Sequence, residues 1–571
     1  MRDKNLIFCA TLGSCVHVAG VFNFMQLAQQ QGYETTFLRP PNTIKEIITK
    51  VKEINPDIVA LSYRLTPESA VKIVEELQKE LTPEMRGKKW ILGGTTLVCK
   101  VVKPLGIFDR LFHGSTTEFD VISYLRSSDS SLSRTQVFPS DLIKRIEMLS
   151  PYPLIRTHFG VPSVEMTCNG IEVIAKAKLV DVISIGPDQN FQESFFNQED
   201  MKELEKGSGG VPIRSKDDLI RMYTAVQRGN YPLLRCYSGT NNLIKMSQLL
   251  KDSIDNAWCA TPLFWYSELD GRSNRSLQDA IKENQDNMKW HGERNIPFEA
   301  NEAHQWSLRS SSDAIAVAAA FLGAYNAKKA GVRKYISQMM FNTPLGLSPR
   351  YDLAKMIAKT TLIESLHDEN FKSYRQVRTG LLSFPEDLHL AKGQLASSIQ
   401  IAMFMKPHIV HVVSYCEADH AATPEDVIES VNIARKVISN SIRGLPLINH
   451  DPAIESYKSR LIADALYIFQ AIHKIIGEEV KDPLIHPPTL ARAVKLGILG
   501  APHLKGLQAA SGDIHTSVVD GKSISINPTT GLNIPEFERI NQILGENGFS
   551  LLDKERKREN IPRSLEKIIV F

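Results

Sequence analysis

Over the first quarter of the chain, short apolar runs alternate with amphipathic stretches of helical period. The runs fall near Leu6–Ala10, Glu34–Phe37, Asp57–Leu61, Trp90–Leu92 and Arg110–Phe112, and the helical patterns around Gly20–Gln31, Thr43–Glu53, Pro67–Glu80 and Thr116–Leu125. Strands that are apolar throughout are covered on both faces, so the alternation predicts an α/β unit with a doubly wound parallel sheet. The stretch Ser127–Pro139 is polar, rich in serine and closed by proline, which reads as a linker.

Beyond it apolar runs recur at Pro153–Gly160, Asp181–Gly186, Tyr231–Tyr237, Asn256–Leu263, Asn295–Ala300, Lys334–Met340, Tyr374–Gly380 and His408–Tyr415. Eight strands with helices between them predict a closed barrel. From Pro446 the pattern turns helical, and a hairpin over Asp513–Ile526 is expected to turn at Asp520-Gly521. The domain reading is 1–127, a linker over 128–150, a barrel over 151–485 and an extension over 486–571.

Composition narrows the function. The 571 residues are 43% hydrophobic and 23% charged, and 67 basic residues stand against 64 acidic ones, a net charge of +3. That balance leaves no electrostatic footprint for nucleic acid and favours small-molecule chemistry. The seven cysteines (Cys9, Cys15, Cys99, Cys168, Cys236, Cys259, Cys416) are scattered, without a C-x-x-C pair. Such usage fits a reducing compartment. With no signal-like or membrane-spanning stretch, a cytoplasmic location is expected.

Three loops at the carboxyl ends of the predicted sheet carry candidate chemistry. After the first strand comes Thr11-Leu12-Gly13-Ser14-Cys15-Val16-His17-Val18-Ala19-Gly20, after the third Leu61-Ser62-Tyr63-Arg64-Leu65-Thr66-Pro67, and after the fourth Leu92-Gly93-Gly94-Thr95-Thr96. A doubly wound sheet binds ligands at this edge, and a histidine on such a loop can coordinate a metal. A solitary histidine near a helix start is also a common solvated or capping residue.

Together the loops resemble the signature of the cobalamin-binding domains of methionine synthase and the adenosylcobalamin mutases, an Asp-x-His-x-x-Gly loop, a Ser-x-Leu segment and a Gly-Gly pair. The resemblance implies a flavodoxin-like domain in which His17 is the lower axial ligand of cobalt and Gly20 lets its helix approach the nucleotide tail. Ser62 then bonds the displaced base, Gly93 and Gly94 make room, and Ser14, Cys15, Leu65, Thr66 and Thr95 line the crevice. This chain departs from the signature in having Arg64 at the leucine position, with Leu65 one place later, and Cys15 at the aspartate position. A carboxylate there would orient the imidazole and raise its basicity, so a thiol is expected to leave cobalt a less electron-rich ligand. Cys15 can equally be read as a small buried residue.

The region from Pro153 to Gly531 is similar to the large subunit of glutamate mutase (methylaspartate mutase). The similarity is carried by Pro232–Thr240 (PLLRCYSGT), His408–Pro424 (HIVHVVSYCEADHAATP), Phe384-Pro385-Glu386-Asp387 and Thr516–Gly521 (TSVVDG). It implies a (β/α)8 TIM barrel and adenosylcobalamin as cofactor. Arg235 and Tyr237 would act at the substrate and Glu417 would hold the adenosyl ribose; Glu417 can also be a charge at a helix N-terminus. The family grips both substrate carboxylates with arginines, and here those positions fall on or near Arg235, on His158, and near Gln189 and Asn190. The family glutamate that receives the substrate ammonium falls near Pro262. The grip on glutamate is therefore largely replaced, and His158, Tyr237, Tyr266, Glu268, Glu299, His304 and Arg309 are candidates for a different pocket or for ordinary rim solvation.

Three functions are compatible with these residues: an adenosylcobalamin-dependent isomerase acting on a small carboxylic or amino acid, a corrinoid methyl carrier fused to a methyltransferase barrel, and a non-catalytic cobalamin sensor. Neither nucleic acid nor membrane is an expected partner, and a homodimer through the barrels is an open expectation.

Overall fold

The computed structural model describes residues 5–114, 116, 118–128, 138–445, 451–476 and 480–545. The chain divides into two compact units, Met1–Pro139 and Ser140–Phe571. Most of the predicted linker Ser127–Pro139 lies outside the described residues.

The first unit is built on five strands, β1 (Leu6–Thr11), β2 (Glu34–Leu38), β3 (Ile58–Tyr63), β4 (Lys89–Gly94) and β5 (Arg110–Phe112), in the order β2-β1-β3-β4-β5. Every pairing is parallel. Alternate side chains feed two separate cores. Phe8, Ala10, Val59, Leu61, Trp90 and Leu92 pack with Ile44, Ile47, Val51, Val74 and Val98 from the helices Ile44–Ile54, Pro67–Glu80 and Thr96–Val102. Ile7, Cys9, Ile58, Ala60 and Ile91 pack on the other face with Val21, Ala28 and Leu125 from the helices Ala19–Gln30 and Glu118–Ser128. Two covered faces are the reason the central strands carry no polar alternation. The strand order reverses between β1 and β3, which makes their carboxyl ends a switch point.

In the second unit every predicted apolar run overlaps a strand: β6 (Leu154–Phe159), β7 (Val182–Ile185), β8 (Leu233–Cys236), β9 (Cys259–Thr261), β10 (Phe298–Ala300), β11 (Lys334–Phe341), β12 (Lys372–Thr379) and β13 (Ile409–Val412). They form a parallel sheet in the order β8-β7-β6-β13-β12-β11-β10-β9. The seam between β8 and β9 has no ladder and is bridged instead by Ala257 N–H to the Leu234 carbonyl at 2.9 Å and by Cys236 N–H to Asn256 Oδ1 at 3.0 Å. The barrel is thus nearly closed.

The helix Asp313–Lys329 is buried over almost its whole circumference, because the long helix Pro452–Lys474 packs over it. An alanine-rich sequence without a polar stripe is what such a sandwiched helix needs. A hairpin, β14 (Thr516–Val519) and β15 (Lys522–Ser525), turns at Asp520 (φ 49°) and Gly521 (φ 75°) as its Asp-Gly sequence predicts. It docks on the start of that helix through Ser523 N–H to Asp313 Oδ2 at 3.1 Å. Asp313 also accepts from the Tyr457 hydroxyl at 2.9 Å and faces the buried Lys355 at 3.3 Å.

Residues 140–150, part of the predicted linker, include the helix Leu142–Leu149, whose Leu142, Ile143, Ile146 and Leu149 are buried. Among the described residues no helix is long and apolar enough to cross a membrane.

Candidate functional site

At the switch point of the first unit, the loop after β1 is held from behind. Leu12 N–H donates to the Ser62 carbonyl at 3.0 Å, Cys15 N–H to the Leu12 carbonyl at 3.2 Å, and Asn42 Nδ2 to the Thr11 carbonyl at 3.1 Å. Gly13 takes φ 58°, a left-handed conformation that favours glycine, and a Cβ there would lie 2.6 Å from Ile73 Cδ1, which would have to shift. The loop then presents Ser14, Val16 and His17 to solvent while Cys15 is buried beneath them.

Cys15 Sγ lies 3.7 Å from His17 Nδ1. In the tautomer with the proton on Nδ1, that nitrogen donates to sulfur and Nε2 keeps its lone pair free for a ligand. The thiol therefore occupies the orienting position beside the imidazole that the sequence comparison gives to a carboxylate.

Thr11, Ser62 and Gly93 stand side by side in register across β1, β3 and β4. Ser62 is 5% exposed and forms the floor of this edge. A Cβ on Gly93 would meet nothing nearer than the Leu61 carbonyl oxygen at 3.9 Å, and one on Gly20 nothing within 4 Å. Gly94 differs: its Cβ would fall 2.9 Å from the Tyr63 carbonyl oxygen and 3.1 Å from Val98 Cγ1. Gly94 thus has a packing reason of its own, between strand and helix. Thr95 caps the helix Thr96–Val102 by accepting from Val98 N–H at 3.2 Å. Thr66 bonds Ser69 at 2.9 Å, and Leu65 is exposed.

The barrel interior is polar. Arg156 on β6, Arg235 on β8, Glu299 on β10 and Gln376 on β12 come from alternate strands, the arrangement of one interior layer in a (β/α)8 barrel. Arg156 is 2% exposed and fully engaged: Nε donates to Ser184 Oγ at 2.8 Å, one terminal nitrogen to Gln376 Oε1 at 2.8 Å and the other to His158 Nε2 at 2.9 Å. Glu299 Oε2, 3.8 Å from Arg156, also accepts from Trp258 Nε1 at 2.8 Å and Gln376 Nε2 at 3.1 Å. Burial and the nearby Arg235 charge disfavour the Arg156 cation, and Glu299 offsets them.

Because Arg156 can only donate, His158 Nε2 accepts and its proton sits on Nδ1, which faces the Tyr237 hydroxyl at 3.3 Å. His158 stacks on His411 with centroids 4.6 Å apart. Burial first, then Arg156 and Arg378, holds both imidazoles well below their ordinary range, so both are neutral. Arg235 is 1% exposed, and its Nε and Nη1 have no hydrogen-bond partner; it lies over the rings of Tyr237 and Trp258 at 5.4 and 5.3 Å. Arg378 Nε is likewise buried without a partner.

Tyr266 is buried near Arg235 and Tyr237, and burial pushes its hydroxyl up to about 12. Glu417 is exposed on the turn Tyr415–Ala418 after β13, where it and Arg378 feel each other's charge. His304 is buried and held well below the imidazole range by burial and then Arg378. Glu268 is exposed and accepts from Leu277 N–H at 2.8 Å, at the start of the helix Leu277–Glu293. Arg309 stacks on Trp265 at 3.9 Å. Asn190 bonds the Lys202 backbone at 2.8 Å and 3.0 Å, a structural role.

Sequence reasoning missed Arg156, Trp258, Gln376, Arg378 and His411. A signal was present on β6, where Arg156 and His158 are polar residues two apart on an otherwise buried strand, which puts both on one wall; Gln376 and Arg378 repeat the spacing on β12, where Lys372 and Arg375 obscure it. A separate cavity of about 660 Å³ opens among the loops after β7, β8 and β9, lined by residues including Gln192, Glu193, Asn241, Arg272 and Arg275.

No protein-family model matches the chain, that of glutamate mutase included. No curated protein matches it either. Among solved structures, a novel cobalamin-binding protein from Desulfitobacterium hafniense DCB-2 is 30% identical, over 22% of this chain and 60% of that one, with a TM-score of 0.20. The cobalamin-dependent S-adenosylmethionine radical enzyme OxsB matches in its apo form at 10% identity, over 87% of this chain and 73% of that one, with a TM-score of 0.17. With aqua-cobalamin and S-adenosylmethionine bound, OxsB matches at 11% identity over 87% and 73%, again with a TM-score of 0.17. The chain spans about 60% of the length of the first of these structures, and at such TM-scores the likenesses carry no argument about fold or activity.

Proposed function

We propose that the chain binds cobalamin at the switch point of its flavodoxin-like sheet and is an adenosylcobalamin-dependent carbon-skeleton mutase of the glutamate mutase type, acting on a small carboxylic acid inside the barrel. The reading stands on this chain's own residues. The observation that carries it is the exposed imidazole of His17, with Nδ1 turned to Cys15 and Nε2 left for cobalt.

The residues of the crevice fit the cofactor. Gly93 and Gly20 leave open the space that side chains would fill, and Ser62 offers a hydroxyl at its floor. When bound, adenosylcobalamin supplies a weak cobalt–carbon bond and hence radical chemistry. The barrel's part is placement and containment. Arg235 supplies a buried, unspent guanidinium for a substrate carboxylate. His158 fixes the Tyr237 hydroxyl, whose ring lies beneath Arg235. Glu417 offers two oxygens to ribose hydroxyls beside the carboxyl end of β13. A non-catalytic sensor has no use for a buried arginine without a partner, which favours the enzyme over that alternative.

Titration of the purified protein with adenosylcobalamin, followed by absorbance, tests the reading. The spectrum is expected to shift to the form in which a protein group replaces the cofactor's own base. With the cobalt(II) form added, EPR is expected to show coupling to one nitrogen that changes on ¹⁵N-histidine labelling and disappears in His17→Ala. An unchanged coupling in that variant contradicts the ligand assignment, and no binding of any cobalamin rejects the function.

A further inference from the structure

Across the barrel, charge is spent on one diagonal and unspent on the other. In the strand order β8-β7-β6-β13-β12-β11-β10-β9, β6 lies opposite β10 and β8 opposite β12. Arg156 on β6 and Glu299 on β10 face each other at 3.8 Å, and every nitrogen of Arg156 has an acceptor. Arg235 on β8 and Arg378 on β12 form the other diagonal, with Nε and Nη1 of the first and Nε of the second buried and without partners. Glu299 is the one acidic residue on the eight barrel strands, and its charge is already opposed by Arg156.

Three inward guanidinium groups stand against one carboxylate on the strands, and Glu417, exposed on the turn after β13, is a further carboxylate whose charge reaches Arg378; the strand residues of the interior are net positive and its histidines are neutral. A guanidinium buried without a hydrogen-bond partner is destabilising, and Arg235 is in that position, while Arg378 is half-buried with its Nε unsatisfied. A ligand that brings one carboxylate to each wall pairs Arg235 and satisfies the Nε of Arg378. An ammonium group on the same ligand would instead enter a field of three cations.

We infer that the barrel takes a small dicarboxylate lacking an amino group, with one carboxylate on Arg235 and the other on Arg378. As a statement about the substrate this rests on the mutase reading; as a statement about binding it stands on the barrel alone.

Calorimetric titration of the whole chain with glutarate, butyrate and L-glutamate tests it. Glutarate is expected to bind at least about tenfold more tightly than either of the others. Arg235→Gln and Arg378→Gln should each weaken glutarate by at least about tenfold, and Arg378→Gln should bring it to the level of butyrate. Glutarate that binds no better than butyrate, L-glutamate that binds as tightly as glutarate, or no detectable glutarate binding each overturns the inference. The comparison of ligands on the unaltered protein holds whether or not a variant folds. The same preparation titrated with adenosylcobalamin separates the two readings: cofactor binding without glutarate preference sinks the dicarboxylate alone, and glutarate preference without cofactor binding sinks the mutase alone.

Discussion

The crevice of the first unit and the interior of the second present their polar groups in opposite ways. Along the edge of β1, β3 and β4 the distinguishing features are absences, with no side chain on Gly93 or Gly20 and one exposed imidazole steadied by a single neighbour. Inside the barrel they are presences: Arg156, His158, Ser184, Glu299 and Gln376 are locked in one buried hydrogen-bonded network, with Arg235 and Arg378 left over. A site made by leaving space out places little demand on stability, so its residues can change binding while the fold stays intact. A site made of buried charge is coupled to stability at every position.

The largest effect expected from this contrast is at Arg156. Arg156→Met removes the ion-pair partner of buried Glu299 and the donor to Ser184, Gln376 and His158, and should cost about 3–5 kcal/mol in urea denaturation. A loss below about 1 kcal/mol would mean that the interior network is no more demanding than the crevice.

Next comes Glu302, fully buried, whose carboxylate accepts from the Leu263 and Phe264 N–H groups and from Trp306 Nε1, and whose pKa burial raises from 4.5 to about 7. A carboxyl raised in the folded state keeps its proton after the unfolded chain has lost it. Stability therefore falls as pH rises from 4.5 to about 7, by on the order of 3 kcal/mol, and levels off above that. Unfolding midpoints measured across that window should decline in the native protein and stay flatter in Glu302→Gln.

Two neighbouring glycines sharpen the comparison within the crevice. Gly94→Ala forces a Cβ against the Tyr63 carbonyl and should cost about 1–3 kcal/mol. Gly93→Ala should change stability by less than about 0.5 kcal/mol while weakening cobalamin, as read from paired thermal melts and absorbance titrations. The smallest effect on stability is at the exposed His17, where His17→Ala should shift the melt by no more than about 0.5 kcal/mol and act on cofactor binding alone. A large loss of stability there would show that the imidazole is part of the fold.

Much of this organisation can be read from sequence alone. The central strands β1, β3 and β4 stand out because two covered faces leave unbroken apolar runs, and the Asp520-Gly521 pair announces its hairpin through two positive φ angles. The crevice loops are legible for a related reason: each lies within a few residues of its strand end, so linear order and spatial order coincide. The interior network is not, because Arg156 and Gln376 meet from 220 positions apart and nothing local marks them as partners. The sequence determined which residue types line each wall. Only the nearly closed barrel decided which diagonal is neutralised and which guanidinium nitrogens are left without a hydrogen-bond partner, since ion pairing depends on which strands face each other across the lumen.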